Sequence, residues 1–151
     1  APATTYHYRG TATNPSGTTE GEDLSFTTAW DWTTWAAAEG VGDPDGDSNG
    51  NGIPDLVDYA TGHGPPMTIG SDGTTTTLVF QRSLVADGVV LTLQVSDDLS
   101  VWLTGPSYDI SGSSGSTTEA AELSRVPAGS DAEVITISTP HHFARLKAEL
   151  P

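Results

Sequence analysis

Apolar positions along this chain follow two regimes that meet near Pro66. Residues 4–13 alternate well enough for a strand, with Tyr6 and Tyr8 on one face and His7 and Arg9 on the other. Asn14-Pro15-Ser16-Gly17 then reads as a turn. Thr18 to Phe26 is polar and acidic, with Leu24 and Phe26 as candidate strand or helix-staple residues. A helix is predicted over Thr28–Glu39: Thr27 or Thr28 can cap it, Asp31 falls in its first turn, Ala36-Ala37-Ala38 are strong formers, and Gly40 or Gly42 ends it. A second short helix starts near Pro54, carries Leu56, Val57, Tyr59 and Ala60, and stops at Gly62-His63-Gly64-Pro65-Pro66.

Beyond Pro66 the period becomes two. Thr74–Arg82 places Leu78 and Phe80 on one face, and Val89, Leu91, Leu93 and Val95 alternate in the next strand, with Asp87-Gly88 in the connection. Ser100–Leu103 carries Val101 and Trp102, Ser111–Thr118 is a low-complexity loop, and Glu133–Ser138 and His142–Leu150 complete the series. Short strands separated by turn signals argue for a mainly β fold: an antiparallel β-sandwich with a short helix–loop–helix segment packed on it. The expected organisation is an N-terminal extension with a strand (1–27), a helix–loop–helix segment (28–66) and the sandwich (67–151), all one compact unit.

Composition narrows the function classes. A chain of 151 residues is near single-domain size and hides about 70% of its unfolded surface on folding. Its formal charge is −15, from 20 acids against 5 bases, so it lacks the basic footprint that nucleic acid or an anionic membrane surface requires. No apolar run approaches the roughly 18 residues of a transmembrane helix. Cysteine is absent, which removes disulfides, thiolate metal sites and a Cys nucleophile. Thr (22), Ser (15) and Gly (17) are abundant and Lys occurs once, a profile that suits a secreted β-rich protein. Ala1-Pro2-Ala3 is what signal-peptide removal leaves, and equally what trimming leaves.

The strongest chemistry is the acidic loop from Asp43 to Asp58. A twelve-residue EF-hand register starting at Asp47 puts Asp47, Asn49 and Asn51 at positions 1, 3 and 5, and Gly52 at the sharp turn. The Ile53 carbonyl falls at position 7, Asp55 at position 9 and Asp58 at position 12. Calcium takes six to eight oxygens, and short Asp and Asn side chains at alternate positions let the backbone wrap it. Asp at position 12, where Glu is usual, shortens the reach of the last ligand and weakens bidentate binding. Asp43 and Asp45 lie upstream and could share Asp47 in a second site, so one or two calcium ions are expected. No Lys or Arg lies between Arg9 and Arg82, whereas five aspartates fall within 43–58. Like charges this close repel by about 1 kcal/mol per pair even in water, so a cation is needed to compact them. The all-oxygen set disfavours zinc and copper, and magnesium prefers fewer protein ligands.

Other candidates have blander readings. Trp32 and Trp35 are expected to pack on the second helix or the sheet, with Trp30 on another side and Trp102 in the core. His141 and His142 would point to opposite faces of a strand, poor geometry for a shared zinc. Asp97-Asp98 reads as an Asx turn. No His-Glu-x-x-His and no phosphate loop appears, and 20 acids nominate no particular catalytic pair.

Three segments together resemble a recurrent C-terminal module of secreted proteins from Verrucomicrobia and Planctomycetes. They are Asp-Pro-Asp-Gly-Asp…Pro-Asp-Leu-Val-Asp-Tyr-Ala-Thr-Gly (43–62), Leu93-Gln-Val-Ser-Asp-Asp-Leu-Ser-Val-Trp102, and His142-Phe-Ala-Arg-Leu-Lys147. The likeness covers roughly residues 28–151, and the loop is also similar to dockerin and thrombospondin type 3 loops. The chain departs from the module by a Ser-Asn-Gly-Asn insert and by His142 where a base is usual. The resemblance implies an extracellular, calcium-stabilised, β-rich appendage without catalysis. The expected function is therefore a non-enzymatic structural module that self-associates into, or attaches to, a cell-surface structure or fibre, by exchange of the Tyr6–Thr13 strand between copies. The alternatives are a carbohydrate-binding module with a polysaccharide partner, or an accessory domain of a larger secreted enzyme.

Overall fold

The computed structural model describes residues 1–64 and 67–151; Pro65 and Pro66, the end of the expected stop segment, lie outside the described residues. Among the described residues the fold is mainly β, with several antiparallel sheets and two short helices.

The first 27 residues make a ribbon. Strands β2 (Thr11–Asn14) and β3 (Gly17–Glu20) pair across Pro15-Ser16, where the Asn14 side chain accepts the Ser16 N–H at 2.8 Å. Strand β1 (Thr5–Tyr8) pairs antiparallel with β4 (Leu24–Thr27), setting Tyr6 opposite Phe26 and Tyr8 opposite Leu24. Gly21 N–H donates to Gly10 O at 2.8 Å and bridges the two halves. The strand expected over 4–13 is thus two strands broken at Arg9-Gly10. Both are already paired within the chain, because the alternation at Thr18/Thr19 and Leu24/Phe26 supplies partners. Every residue from 5 to 27 is exposed. The ribbon is rooted where Ala3 N–H donates to Ala29 O and Thr28 N–H donates to Thr4 O.

Strand β5 (Trp30–Asp31) leads directly into helix α1 (Trp32–Glu39). The helix begins four residues later than Thr28. The Thr28 hydroxyl is engaged by the carbonyl of Ala1, and the Asp31 carboxylate caps the helix instead, accepting Thr34 N–H at 2.7 Å. Gly40 closes α1 and Gly62 closes α2 (Asp55–Thr61), both in the left-handed conformation.

The remaining chain forms β6 (Thr68–Ser71), β7 (Thr76–Ser83), β8 (Ala86–Asp87), β9 (Val90–Ser96), β10 (Leu103–Asp109), β11 (Gly112–Ser113), β12 (Ala121–Pro127), β13 (Ala132–Thr139) and β14 (Phe143–Glu149). Two four-stranded sheets result, in the orders β11-β10-β9-β14 and β12-β13-β7-β6, and β8 pairs in parallel with β5. Strand β10 begins where the expected 100–103 strand ends, with a register shift between Thr104 and Ser107 around Pro106. The edge strands β6 and β12 carry little apolar alternation and are not legible as strands. Alternation is faithful on β7, β9 and β13: Leu78, Phe80, Leu91, Leu93, Val95, Ile135 and Ile137 are all buried in one core. Phe80 meets Tyr108 edge-on at 5.7 Å, joining the two sheets through that core. All seven residues of α2 are buried, and it touches α1, β7, β8, β9 and β14.

A polar clamp also crosses between the sheets. Buried Arg82 on β7 donates from Nε to Glu133 on β13 at 2.6 Å, and from Nη1 to the carbonyls of Asp109 and Gly112 beside β10 and β11. Arg125 adds a second cation 3.3 Å from the same Glu133 oxygen. Removing one partner of a buried pair strands the other without solvent. Arg82→Met is therefore expected to lower the urea-unfolding free energy by about 3 kcal/mol. A loss below about 1 kcal/mol would mean that the Arg125 contact alone carries the clamp.

Candidate metal centre

The acidic loop runs from α1 to α2 and folds onto the first turn of the second helix. Its backbone is held by Asp55 N–H to Gly46 O at 2.7 Å and Leu56 N–H to Pro44 O at 3.0 Å. Asp47, Asn49, Asn51 and Asp58 are drawn into one hydrogen-bonded group. Asp58 Oδ2 accepts from the side-chain amides of Asn49 (2.7 Å) and Asn51 (2.9 Å), while the two Asp47 oxygens accept Asn51 N–H and Gly52 N–H. Gly52 takes φ 82, a left-handed turn that a side chain would strain. Asn51 Oδ1 accepts Ile53 N–H at 2.7 Å, which folds the chain back toward the helix.

The other members sit apart from that group. Both Asp55 oxygens are taken by Ser48, from its N–H at 3.0 Å and its hydroxyl at 2.6 Å. Asp43 and Asp45 lie in the preceding turn, where Asp43 Oδ1 accepts Asp45 N–H. Among the described residues no three acids or histidines converge as a metal-holding group. The tightest association here is two acids with two amides.

The donor chemistry nevertheless fits a hard cation. Asp55 and Asp58 are 2% and 1% exposed, and no Lys, Arg or His is salt-bridged to either among the described residues. A buried carboxylate ordinarily has a cation or a metal as its partner. Here the donors are neutral. The Asn49 and Asn51 amides carry an oxygen on the same carbon as the nitrogen, so a half-turn of each amide replaces a donor to Asp58 with an acceptor facing the same point.

The loop also spells Gly46-Asp47-Ser48-Asn49-Gly50, the letters of a nucleophile elbow. The context is wrong for one. Ser48 lies in a loop rather than a strand-to-helix turn, and its hydroxyl donates to a carboxylate with no histidine bonded to it.

The aromatic cluster is packing. Trp32 and Trp35 lie 5.8 and 5.3 Å from the Tyr59 ring, and Trp35 is buried. The Tyr59 hydroxyl lies 2.6 Å from the carbonyls of Trp30 and Asp87, tying α2 to β5 and β8. Burial, and then the charge of Asp87, raises the Tyr59 pKa. Trp102 is a correction. It is half-buried on the outer side of its sheet, under Arg145 at 4.0 Å, and is absent from the core because β10 starts only at Leu103.

His141 and His142 are a second correction. They precede β14, so strand alternation does not separate them, and both imidazoles bond to Asp97 at 2.8 Å. His141 also reaches Glu119 through Nε2 at 2.9 Å. The neighbouring Asp98 forms the expected Asx turn, accepting Ser100 N–H and Val101 N–H.

No protein-family model, no curated protein and no solved structure matches this chain. Among the described residues no helix is long and apolar enough to cross a membrane.

The histidine clasp has a pH signature. Asp97 and then Glu119 raise the His141 pKa, so its contribution is complete below the unfolded histidine value near ~6.5 and fades as pH rises through the higher folded value. The hydrogen bonds from His141 and then His142 hold Asp97 down at about 2, and His141, then Thr118, lowers Glu119. The carboxylate contributions are therefore present above the unfolded values of roughly 4 and are lost only as pH falls through the lower folded values. The melting temperature is expected to fall between pH 5.5 and pH 8.5 more in the natural chain than in His141→Gln. Parallel curves for the two proteins would remove the clasp from the stability of the fold.

Proposed function

We propose that this chain is a non-catalytic, calcium-stabilised extracellular structural module whose copies associate through the N-terminal ribbon. On this reading the two four-stranded sheets form a sandwich, and α1, the acidic loop and α2 make a helix–calcium loop–helix segment along it. The observation that carries the association is the ribbon itself. Tyr6, Tyr8, Leu24 and Phe26 share one face by register, Tyr6 stacks on Phe26 at 5.5 Å, and all four are 42–54% exposed. A two-stranded ribbon standing alone in water is marginal, and an aromatic face of this kind is an interaction surface rather than a place to leave bare. Because β1 is already paired with β4, the association is by docking of a whole ribbon, not by exchange of a single strand.

Calcium is the ion that the loop suits. Asp47, Asn49, Asn51, the Ile53 carbonyl and Asp58 would hold it, Asp55 would enter directly or through Ser48 or water, and Asp43 and Asp45 would serve a second ion. Its chemistry there is structural: it supplies the positive charge that the buried carboxylates lack. A site ending in Asp fits the weak range of about 10⁻⁴–10⁻³ M found in extracellular modules. The abundance of Thr, Ser and Gly and the single Lys support the same compartment.

A ligand at a hundredfold excess over its dissociation constant stabilises by about 2.7 kcal/mol. For a chain of this length that is roughly 5–10 °C in melting temperature. Saturating calcium should produce such a rise and EGTA should reverse it; Asp47→Asn should shrink it and Asp58→Asn should abolish it. Equal melting temperatures with calcium and EGTA would overturn the metal reading. Separately, sedimentation in calcium should show assemblies for the whole chain, and a folded monomer after removal of residues 1–27. Persistent assembly of the shortened chain would overturn the ribbon's role.

A further inference from the structure

We infer that Asn51 is a site of self-catalysed covalent modification, its side-chain amide being converted to a carboxylate through a cyclic imide with Gly52. The inference concerns the metal-free loop and stands whether or not calcium binds there. The loop holds two Asn-Gly peptides, Asn49-Gly50 and Asn51-Gly52. In such a peptide no side chain shields the glycine nitrogen, and its attack on the asparagine Cγ closes a five-membered ring. The groups that this acyl substitution needs stand around Asn51. Gly52 N–H, whose nitrogen is the nucleophile, donates to Asp47 Oδ2 at 2.9 Å, so a carboxylate is in place to take its proton. Asn51 Oδ1, where negative charge develops, accepts Ile53 N–H at 2.7 Å. Asn51 Nδ2, the nitrogen that leaves, donates to Asp58 Oδ2 at 2.9 Å. The amide is thus fixed at both ends beside its nucleophile. Asn51 and Gly52 are exposed, so water can enter and ammonia can depart.

The chemistry balances with water as the only co-reactant. Gly52 N bonds to Asn51 Cγ as its proton passes to Asp47. The Cγ–Nδ2 bond then breaks, and the nitrogen leaves as ammonia, the proton returning to it through solvent. Water opens the imide at either carbonyl, which gives Asp in a normal peptide or an iso-aspartyl link through Cγ. One water is consumed, one ammonia is released, and nothing is oxidised or reduced. The neighbouring peptide is an internal control. Gly50 N–H donates to the Asp47 backbone carbonyl at 3.3 Å, and a peptide oxygen is no base. Asn49 Oδ1 accepts Asn51 N–H at 3.0 Å, but that N–H is shared with Asp47 Oδ1. The two sites share one dipeptide and differ in what the fold places around them. Conversion at Asn51 puts a carboxylate beside buried Asp58 in place of a donor, which deepens the loop's demand for a cation.

The test uses the whole chain, incubated in EGTA and heavy-oxygen water at neutral pH. Fragment-ion mass spectrometry reads oxygen uptake at residues 49 and 51 separately. A sample unfolded in urea, where both peptides lose their surroundings, sets the reference. In the folded chain Asn51 is expected to convert faster than Asn49 by about tenfold or more, against a ratio near one in urea. Asp47→Ser should bring the folded ratio down to the urea value while the rate at Asn49 holds. Equal rates in the folded chain, or faster conversion at Asn49, would overturn the inference. So would an Asn51 left intact in the folded chain over the time in which the urea sample is converted. A ratio that survives Asp47→Ser would remove Asp47 as the base and overturn self-catalysis. None of these outcomes bears on the melting-temperature rise with calcium, so the two readings fail separately.

Discussion

Everything in this fold turns on a seven-residue helix that has no exposed residue. Helix α2 lies against both sheets and α1, so its position fixes how the parts of the body meet. A helix this short has little stability of its own and depends on packing. Yet two of its seven side chains are aspartates buried at 2% and 1% exposure. Taking a carboxylate out of water is expensive unless something answers its charge, and hydrogen bonds from neutral groups answer it only in part. The acidic loop exists to meet that demand. Ser48 turns to Asp55, Asn49 and Asn51 turn to Asp58, and Gly52 makes the bend that brings them there. The loop is therefore part of the core's foundation and not an ornament on its surface.

The same dependence explains what was legible in the sequence. Strands buried on one face declare themselves by period, and β7, β9, β13 and β14 can be read from Leu78/Phe80, Leu91/Leu93/Val95, Ile135/Ile137 and Phe143–Glu149. Edge strands have no such obligation. Strand β12 exposes Leu123 and Val126 at 60% and 57%, and β6 is Thr-Ile-Gly-Ser, so neither carries a core-facing pattern. The start of helix α1 is ambiguous by four residues in the sequence because Thr27, Thr28 and Asp31 are all good caps. Local sequence does not say that Thr28 is already bound to the root of the ribbon. The ribbon was legible as one strand with Leu24 and Phe26 as candidates beyond it, but not its break at Arg9-Gly10 or its pairings, which are decided by register across Gly10 and Gly21.

The loop was legible as a ligand pattern but not as a geometry. Spacing puts Asp47, Asn49, Asn51, Asp55 and Asp58 in one ligand register, whereas the fold divides them: Asn49 and Asn51 turn to Asp58, Asp47 joins through Asn51, and Asp55 stays with Ser48. The clasp of His141, His142, Asp97 and Glu119 was not legible at all. Its members come from three separated segments, and adjacency of the two histidines points the wrong way as long as they are placed inside the strand. What the sequence does offer is the Ser-Asp-Asp-Leu turn, whose Asx bonding leaves the first aspartate free to face outward.

Net charge connects the two proposals. A chain of −15 resists association with its own kind, and at physiological ionic strength that repulsion is screened only beyond about 8 Å, which is no help at contact distance. Copies can meet only where the acids are absent or answered. One or two calcium ions, if bound in the loop as proposed, would change the charge to −15 + 2 = −13 or −15 + 4 = −11, a reduction that is modest in sum but falls where five aspartates crowd. The ribbon lowers the remaining barrier differently. On the proposed reading its exposed, uncharged aromatic face would reach a neighbour while the acidic bodies stay apart. An extended arm whose face carries no charge is what so acidic a module would need in order to build with copies of itself.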